Sequence, residues 1–163
     1  MQPTKDEFRA VMGHFATGVT IITTRSGDEV RGMTANSVAS VSLDPLSVLV
    51  CVNHDAITHR ILSQGNVFCV NILSDQQEAL SRGCARPDTP EAGLVGVPYR
   101  NGETGAPILE GALGYLDCRV VSSFDFGTHT IFVGEPIDLA FEDGSPLLFY
   151  RGRYVMMQNG QPA

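Results

Sequence analysis

The stretch Gly32-Met33-Thr34-Ala35-Asn36-Ser37-Val38-Ala39-Ser40-Val41-Ser42-Leu43-Asp44-Pro45-Leu46-Ser47-Val48-Leu49-Val50-Cys51-Val52 reads as three β-strands in succession. The first is the end of a run from Val30 to Thr34. In the second, Val38 to Leu43, apolar and small polar residues alternate, the period of a strand with one buried face. Asp44-Pro45 stops it, because proline lacks the amide that a ladder needs. Leu46 to Val52 is apolar except at Ser47, which suits a fully buried strand and is far too short to cross a bilayer.

The same period extends outward. Upstream, Val19 to Thr24 is rich in β-branched residues, and Ser26-Gly27-Asp28 turns it back into Val30 to Thr34 as a hairpin. Before it, Thr4-Lys5-Asp6-Glu7 fits a capping box. Phe8, Val11, Met12 and Phe15 follow at helical spacing, and Gly18 suits the position just past the helix end. Downstream, Asp55 to Leu62 reads as a short helix carrying Ile57, Ile61 and Leu62, ended by Gly65-Asn66, and Val67 to Leu73 reads as a strand. Ser74-Asp75-Gln76-Gln77 is a second capping box, opening a helix with Ala79 and Leu80 inward. Pro87 to Pro107 reads as a long loop. Leu109 to Ser123 and His129 to Phe141 read as long strands joined by Phe124-Asp125-Phe126-Gly127, and Pro146 to Tyr150 as the last strand. One domain, 1–163, is expected, with its core over 8–154 and a frayed tail at 158–163. Antiparallel short strands with a few short helices point to a mainly β fold, a barrel or a sandwich, and not to a parallel βαβ sheet.

The bulk numbers narrow the function. A net charge of −7 and 7% aromatics leave no basic, aromatic surface for nucleic acid. The N-terminus lacks the basic and apolar regions of a signal peptide, so a cytoplasmic location is expected, away from any membrane. Cys51, Cys69, Cys84 and Cys118 form no C-x-x-C pair and match no zinc spacing, so reduced thiols are expected. His54 and His59, five apart, would fall on different faces of a helix, and no metal site is expected from them. No G-x-G-x-x-G, Walker, G-x-S-x-G or H-E-x-x-H motif occurs. Demanding chemistry would have to come from an organic cofactor.

Gly32 to Ser37 together with Ser40-Val41-Ser42-Leu43-Asp44-Pro45 resemble the signature of the flavin reductase-like, FMN-binding split-barrel family. That family includes reductase components of phenol and 4-hydroxyphenylacetate monooxygenases. Further segments keep the family order: Phe15-Ala16-Thr17-Gly18-Val19-Thr20, Val70-Asn71-Ile72-Leu73, Gly127-Thr128-His129-Thr130-Ile131 with Gly134-Glu135, and Pro146-Leu147-Leu148-Phe149-Tyr150 with Gly152 and Tyr154.

The resemblance implies a split β-barrel homodimer that transfers hydride from NADH or NADPH to FMN or FAD. Reduced flavin would then serve a separate oxygenase component. It implies flavin contacts at Met33, Thr34, Ala35, Asn36 and Ser37, whose small and polar character suits a backbone lying against a flat ring and equally suits a strand-end turn. It further implies contacts at Cys51, Val52 and Asn53, and a phosphate near the following helix start, where Thr58 is either a ligand hydroxyl or a surface residue. His59 is expected at the surface. Ala85 and Arg86 would meet the phosphate end, although Gly83-Cys84 stands where the family usually has Arg-Phe or Asn-Phe and leaves FMN against FAD open. His129, and at lower rank Tyr154 and Arg153, would meet the nicotinamide, with Thr128 standing where the family has an aspartate. His129 could also be a structural histidine. No catalytic acid or base is expected. The alternatives are a tightly flavin-bound reductase of a corrinoid or ferric complex, and a non-enzymatic flavin-binding or ligand-binding barrel.

Overall fold

The computed structural model describes residues 2–86 and 94–157, so the expected frayed tail and part of the long loop lie outside the described residues. In chain order the elements are α1 (Lys5–Met12), β1 (Thr17–Gly18), β2 (Thr20–Ser26), β3 (Glu29–Ala35), β4 (Val38–Leu43), β5 (Leu46–Asn53), α2 (Ile57–Gly65) and β6 (Val67–Ile72). A 3-10 turn (Asp75–Gln77) then leads to α3 (Glu78–Cys84), β7 (Tyr99–Asn101), β8 (Pro107–Leu109), β9 (Gly114–Phe126), β10 (His129–Phe141), β11 (Leu148–Tyr150) and β12 (Arg153–Val155).

Seven strands form one antiparallel sheet in the order β3-β2-β6-β9-β10-β5-β4. Its two edge strands are sequence neighbours, separated only by Asn36-Ser37. Laid flat, six inter-strand spacings would hold those edges roughly 29 Å apart. A two-residue link spans roughly 11 Å at most. The sheet therefore rolls up until its edges face each other. No ladder joins β3 to β4 among the described residues, so the cylinder is split there.

The interior holds Ile22, Val48, Val50, Val52, Phe68, Val70, Cys118 and Phe132, with Leu62 of α2. Gly134 makes room for the Phe68 ring, since a Cβ at that position would lie 2.4 Å from it. A second core on the outer face gathers Val19, Ile21, Leu73, Cys84, Leu109 and Leu147, covered in part by Leu80, Phe149 and Tyr154. On the outer face Asn71 is fully buried and fully engaged. Its Nδ2 donates to the Ile21 carbonyl and to Thr23 Oγ1, both at 3.1 Å, and its Oδ1 accepts from the Leu109 amide at 2.8 Å.

Several expectations are corrected. Gly13, not Gly18, caps α1, and Gly18 belongs to β1. The apolar stripe of α1 is not covered by this chain, with Phe8 64% and Val11 70% exposed. Both capping boxes form, but the second opens the 3-10 turn, which delays α3 to Glu78 and changes its phase. Ser81 and Cys84 then face inward and Ala79 outward. The Pro87–Pro107 loop holds β7, which pairs with β8. Strand β12 was not expected; Arg151 and Gly152, both at positive φ, turn β11 straight back into it.

Candidate functional site

The link across the split is exposed at Asn36 and Ser37, and the strands on both sides hold it in place. Thr34 Oγ1 donates to the Ser81 carbonyl at 2.7 Å, which ties the end of β3 to α3. Met33 packs against the interior core, and Ala35 is buried. Asn36 Nδ2 donates to Thr17 Oγ1 at 3.2 Å. Ser37 Oγ donates to the Cys51 carbonyl at 3.1 Å, and the Cys51 amide donates back to the Ser37 carbonyl at 3.1 Å. Two small residues are thus fixed at both ends, with their outer faces free.

Strand β5 alternates. Val48, Val50 and Val52 point into the core, while Cys51 and Asn53 lie on the opposite, half-buried face beside Ser37. Val52 is therefore a core residue, and its side chain is removed from the candidate contacts. Burial pushes the Cys51 thiol up from its ordinary value, so it stays protonated at neutral pH. Asn53 Oδ1 accepts from the Asp55 amide at 2.8 Å and sits opposite His129 in the β5–β10 ladder. His129 is exposed at the start of β10, with Nδ1 2.9 Å from Thr128 Oγ1. Asn36-Ser37, Cys51–Asn53 and His129 thus occupy one end of three adjacent strand termini.

Helix α2 begins at Ile57 after Ala56, with no side-chain cap. Thr58 is fully buried, and its hydroxyl has no partner. The alternative of a surface threonine is thereby corrected, because α2 packs over β2 and β3 and the side chain is enclosed. An uncapped helix start beside an orphaned buried hydroxyl is a place that an anion would complete.

On the other side of Asn36, a cavity of about 150 Å³ is lined by Thr34, Asn36, Ala85, Phe149 and Tyr154. Arg86 is exposed just beyond Ala85. The Tyr154 hydroxyl lies 2.8 Å from Ser81 Oγ, and the Arg82 guanidinium stands 4.6 Å over its ring. Tyr154, expected beside His129, is instead grouped with the flavin candidates; His129 does not line this cavity. A broader apolar hollow of about 530 Å³ also reaches Asn36 and is lined by Phe15, Val38, Leu43, Leu46 and Leu139.

Sequence reasoning missed one cluster. His54 precedes α2, in a turn closed by the Ala56 amide on the Asn53 carbonyl, and its own amide donates to the Thr128 carbonyl at 3.0 Å. It is therefore not on a helix with His59, and the argument from helix faces fails. The two rings meet edge to face at 5.2 Å, and Asp125 Oδ1 lies 3.5 Å from His54 Nε2. His59, expected at the surface, is half-buried, with Nε2 2.8 Å from Thr130 Oγ1. Burial, and then the neighbouring His54, lower the His59 pKa. The hydrogen bond from Thr130, first of all, holds Asp125 below the usual carboxylate range. The Asn53-His54-Asp55 pattern of an Asx turn was the signal that could have separated His54 from the helix.

A flavin fits the residues present: a flat backbone edge of small residues, a hollow on each side of it, and an anion-ready helix start nearby. Comparison with known proteins agrees. Residues 12–158 match the flavin reductase like domain. The reductase component of a 4-nitrophenol 4-monooxygenase/4-nitrocatechol 2-monooxygenase from Rhodococcus opacus is 41% identical over 92% of this chain and 80% of its own length. An NADH-dependent flavin reductase from a Rhodococcus species is 41% identical over 92% of this chain and 85% of its own. Among solved structures, a Streptomyces globisporus NADH:FAD oxidoreductase in complex with NAD and FAD fragments superposes with a TM-score of 0.89 and 38% identity, covering 97% of this chain and 95% of that one.

Proposed function

The chain belongs to the flavin reductase-like family, and from that premise we propose that it oxidises NADH, or NADPH, with FMN or FAD as acceptor and supplies reduced flavin to a separate monooxygenase component. The observation that carries this reading is the Asn36-Ser37 link. It joins the edges of the split sheet, is held by Thr17 and Cys51, and is bordered by hollows on two sides. When bound, the flavin accepts a hydride from the dihydronicotinamide.

Asn36, Ser37, Cys51 and Asn53 orient the ring through their backbone and short polar side chains, and no protonating side chain needs to act. The start of α2 and the exposed Arg86 receive the phosphate end. His129, exposed across the ladder from Asn53, meets the dinucleotide. Tyr154 and Ser81 form the wall that holds Thr34 and the flank of Asn36 in place.

Two copies pair through the apolar surface that one chain leaves open. That surface includes the α1 stripe and Leu43, Leu139 and Phe141, of which Leu43 is 87% exposed. Four cysteines outside any disulfide suit a reducing, cytoplasmic setting, and no described helix is long and apolar enough to cross a membrane. The test is steady-state oxidation of NADH and NADPH with FMN, FAD and riboflavin in turn. Turnover with at least one flavin is expected; no turnover and no flavin uptake would overturn the reading.

A further inference from the structure

We propose that His54, His59 and Asp125 form a binding site for one divalent cation of the zinc class, at the tip of the β9–β10 hairpin. One ligand atom from each residue lies within 4.8 Å of the other two, although the three come from a turn, a helix and a strand end. Two imidazoles and one carboxylate select a borderline transition cation over magnesium or calcium, which take oxygen ligands. Three protein ligands also leave a coordination position open.

The site is supported from outside its ligands. Thr130 Oγ1 gives its single proton to Asp125 Oδ1 at 2.5 Å, so His59 Nε2 is the donor in its 2.8 Å bond to Thr130. With Nε2 donating, the neutral imidazole of His59 has its lone pair on Nδ1, the nitrogen left to meet a cation. Thr130 is the outer partner that holds two of the three ligands in register. Zinc ligands stand about 2.1 Å from the metal and hence about 3.4 Å from one another. Reaching that geometry asks for a closure of at most about 1.4 Å, at the exposed His54 and Asp125. A bound cation would clamp the hairpin tip to the start of α2. His129 is next to this clamp, through the Thr128 carbonyl that holds the His54 amide. If the proposed nicotinamide role of His129 holds, an occupied site also slows NADH oxidation.

The experiment is titration of the full chain with zinc chloride, followed calorimetrically, and with cobalt(II), followed by its visible spectrum. One ion per chain is expected, with ligand-field bands and no thiolate charge-transfer band. His54→Ala and Asp125→Asn, both at exposed positions, should each weaken binding at least about tenfold. Absence of saturable uptake would overturn the site, as would unchanged, parent-level affinity in both variants or a thiolate band pointing to Cys51. The binding readout needs no flavin, so its failure is distinguishable from failure of the reductase reading, while EDTA-reversible inhibition by zinc tests the link to His129.

Discussion

Asn36 offers a short amide on the one link that closes the sheet, with its Nδ2 on Thr17. Asn36→Leu removes that amide and fills the ring face, so flavin affinity and turnover should fall together, by about tenfold or more, in a fluorescence titration run beside the kinetic assay. His129→Ala should behave differently. It raises the KM for the nicotinamide several-fold and leaves flavin affinity unchanged; equal effects on both would remove its assignment. The strand-end positions of Asn36, Ser37, Cys51 and Asn53, grouped at one end of the sheet, were legible in the sequence because small polar residues at strand ends advertise an exposed backbone. Val52, Thr58 and Tyr154 were not. Whether a strand residue faces the core depends on register, and the hydroxyl of Thr58 disappears only once α2 packs down on β2 and β3.

At the level of elements, strands were readable wherever a β-branched, apolar or alternating run was long, as in β2, β4, β5 and β10, although β5, read as fully buried, turns out to bury only one face. The short β7, β8 and β12 carry too few residues to show a period, and the phase of α3 was lost because a 3-10 turn shares its capping box. Asn71 stitches β2, β6 and β8 through three hydrogen bonds. Asn71→Leu strands the Leu109 amide in the interior and should destabilise the fold by about 1–3 kcal/mol in urea unfolding. Buried thiols in β9 and α3 tie stability to pH. Burial, with Asp117 adding to it, pushes Cys118 up to about 12, and burial pushes Cys84 up to about 11, from an ordinary 9.0. Below that ordinary value the thiols are neutral in both folded and unfolded chains. Above it the unfolded chain ionises first, so their contribution to stability drains away as pH rises from about 9 toward 11 or 12. The urea midpoint should fall over that interval, and Cys118→Ala should make the fall shallower.

For the whole molecule, no local pattern could announce that the first and last strands of the sheet are chain neighbours, since strand order is a long-range property. The barrel followed from the family resemblance and is now explained by geometry. The exposed apolar positions make the assembled state the next test. Leu43→Glu places a charge in the open hollow that reaches Asn36, and should shift the sedimentation of the proposed dimer toward monomer, with a parallel loss of flavin affinity. An unchanged mass would discard this surface as the interface. The two-residue link also sets what a rearranged gene could tolerate. With its original ends fused and new ends cut between Asn36 and Ser37, the chain would lose this covalent clasp across the gap, and the hoop would spring open. The same recut at Gly27-Asp28, in a hairpin tip already zipped by its neighbours, should leave both shape and colour intact.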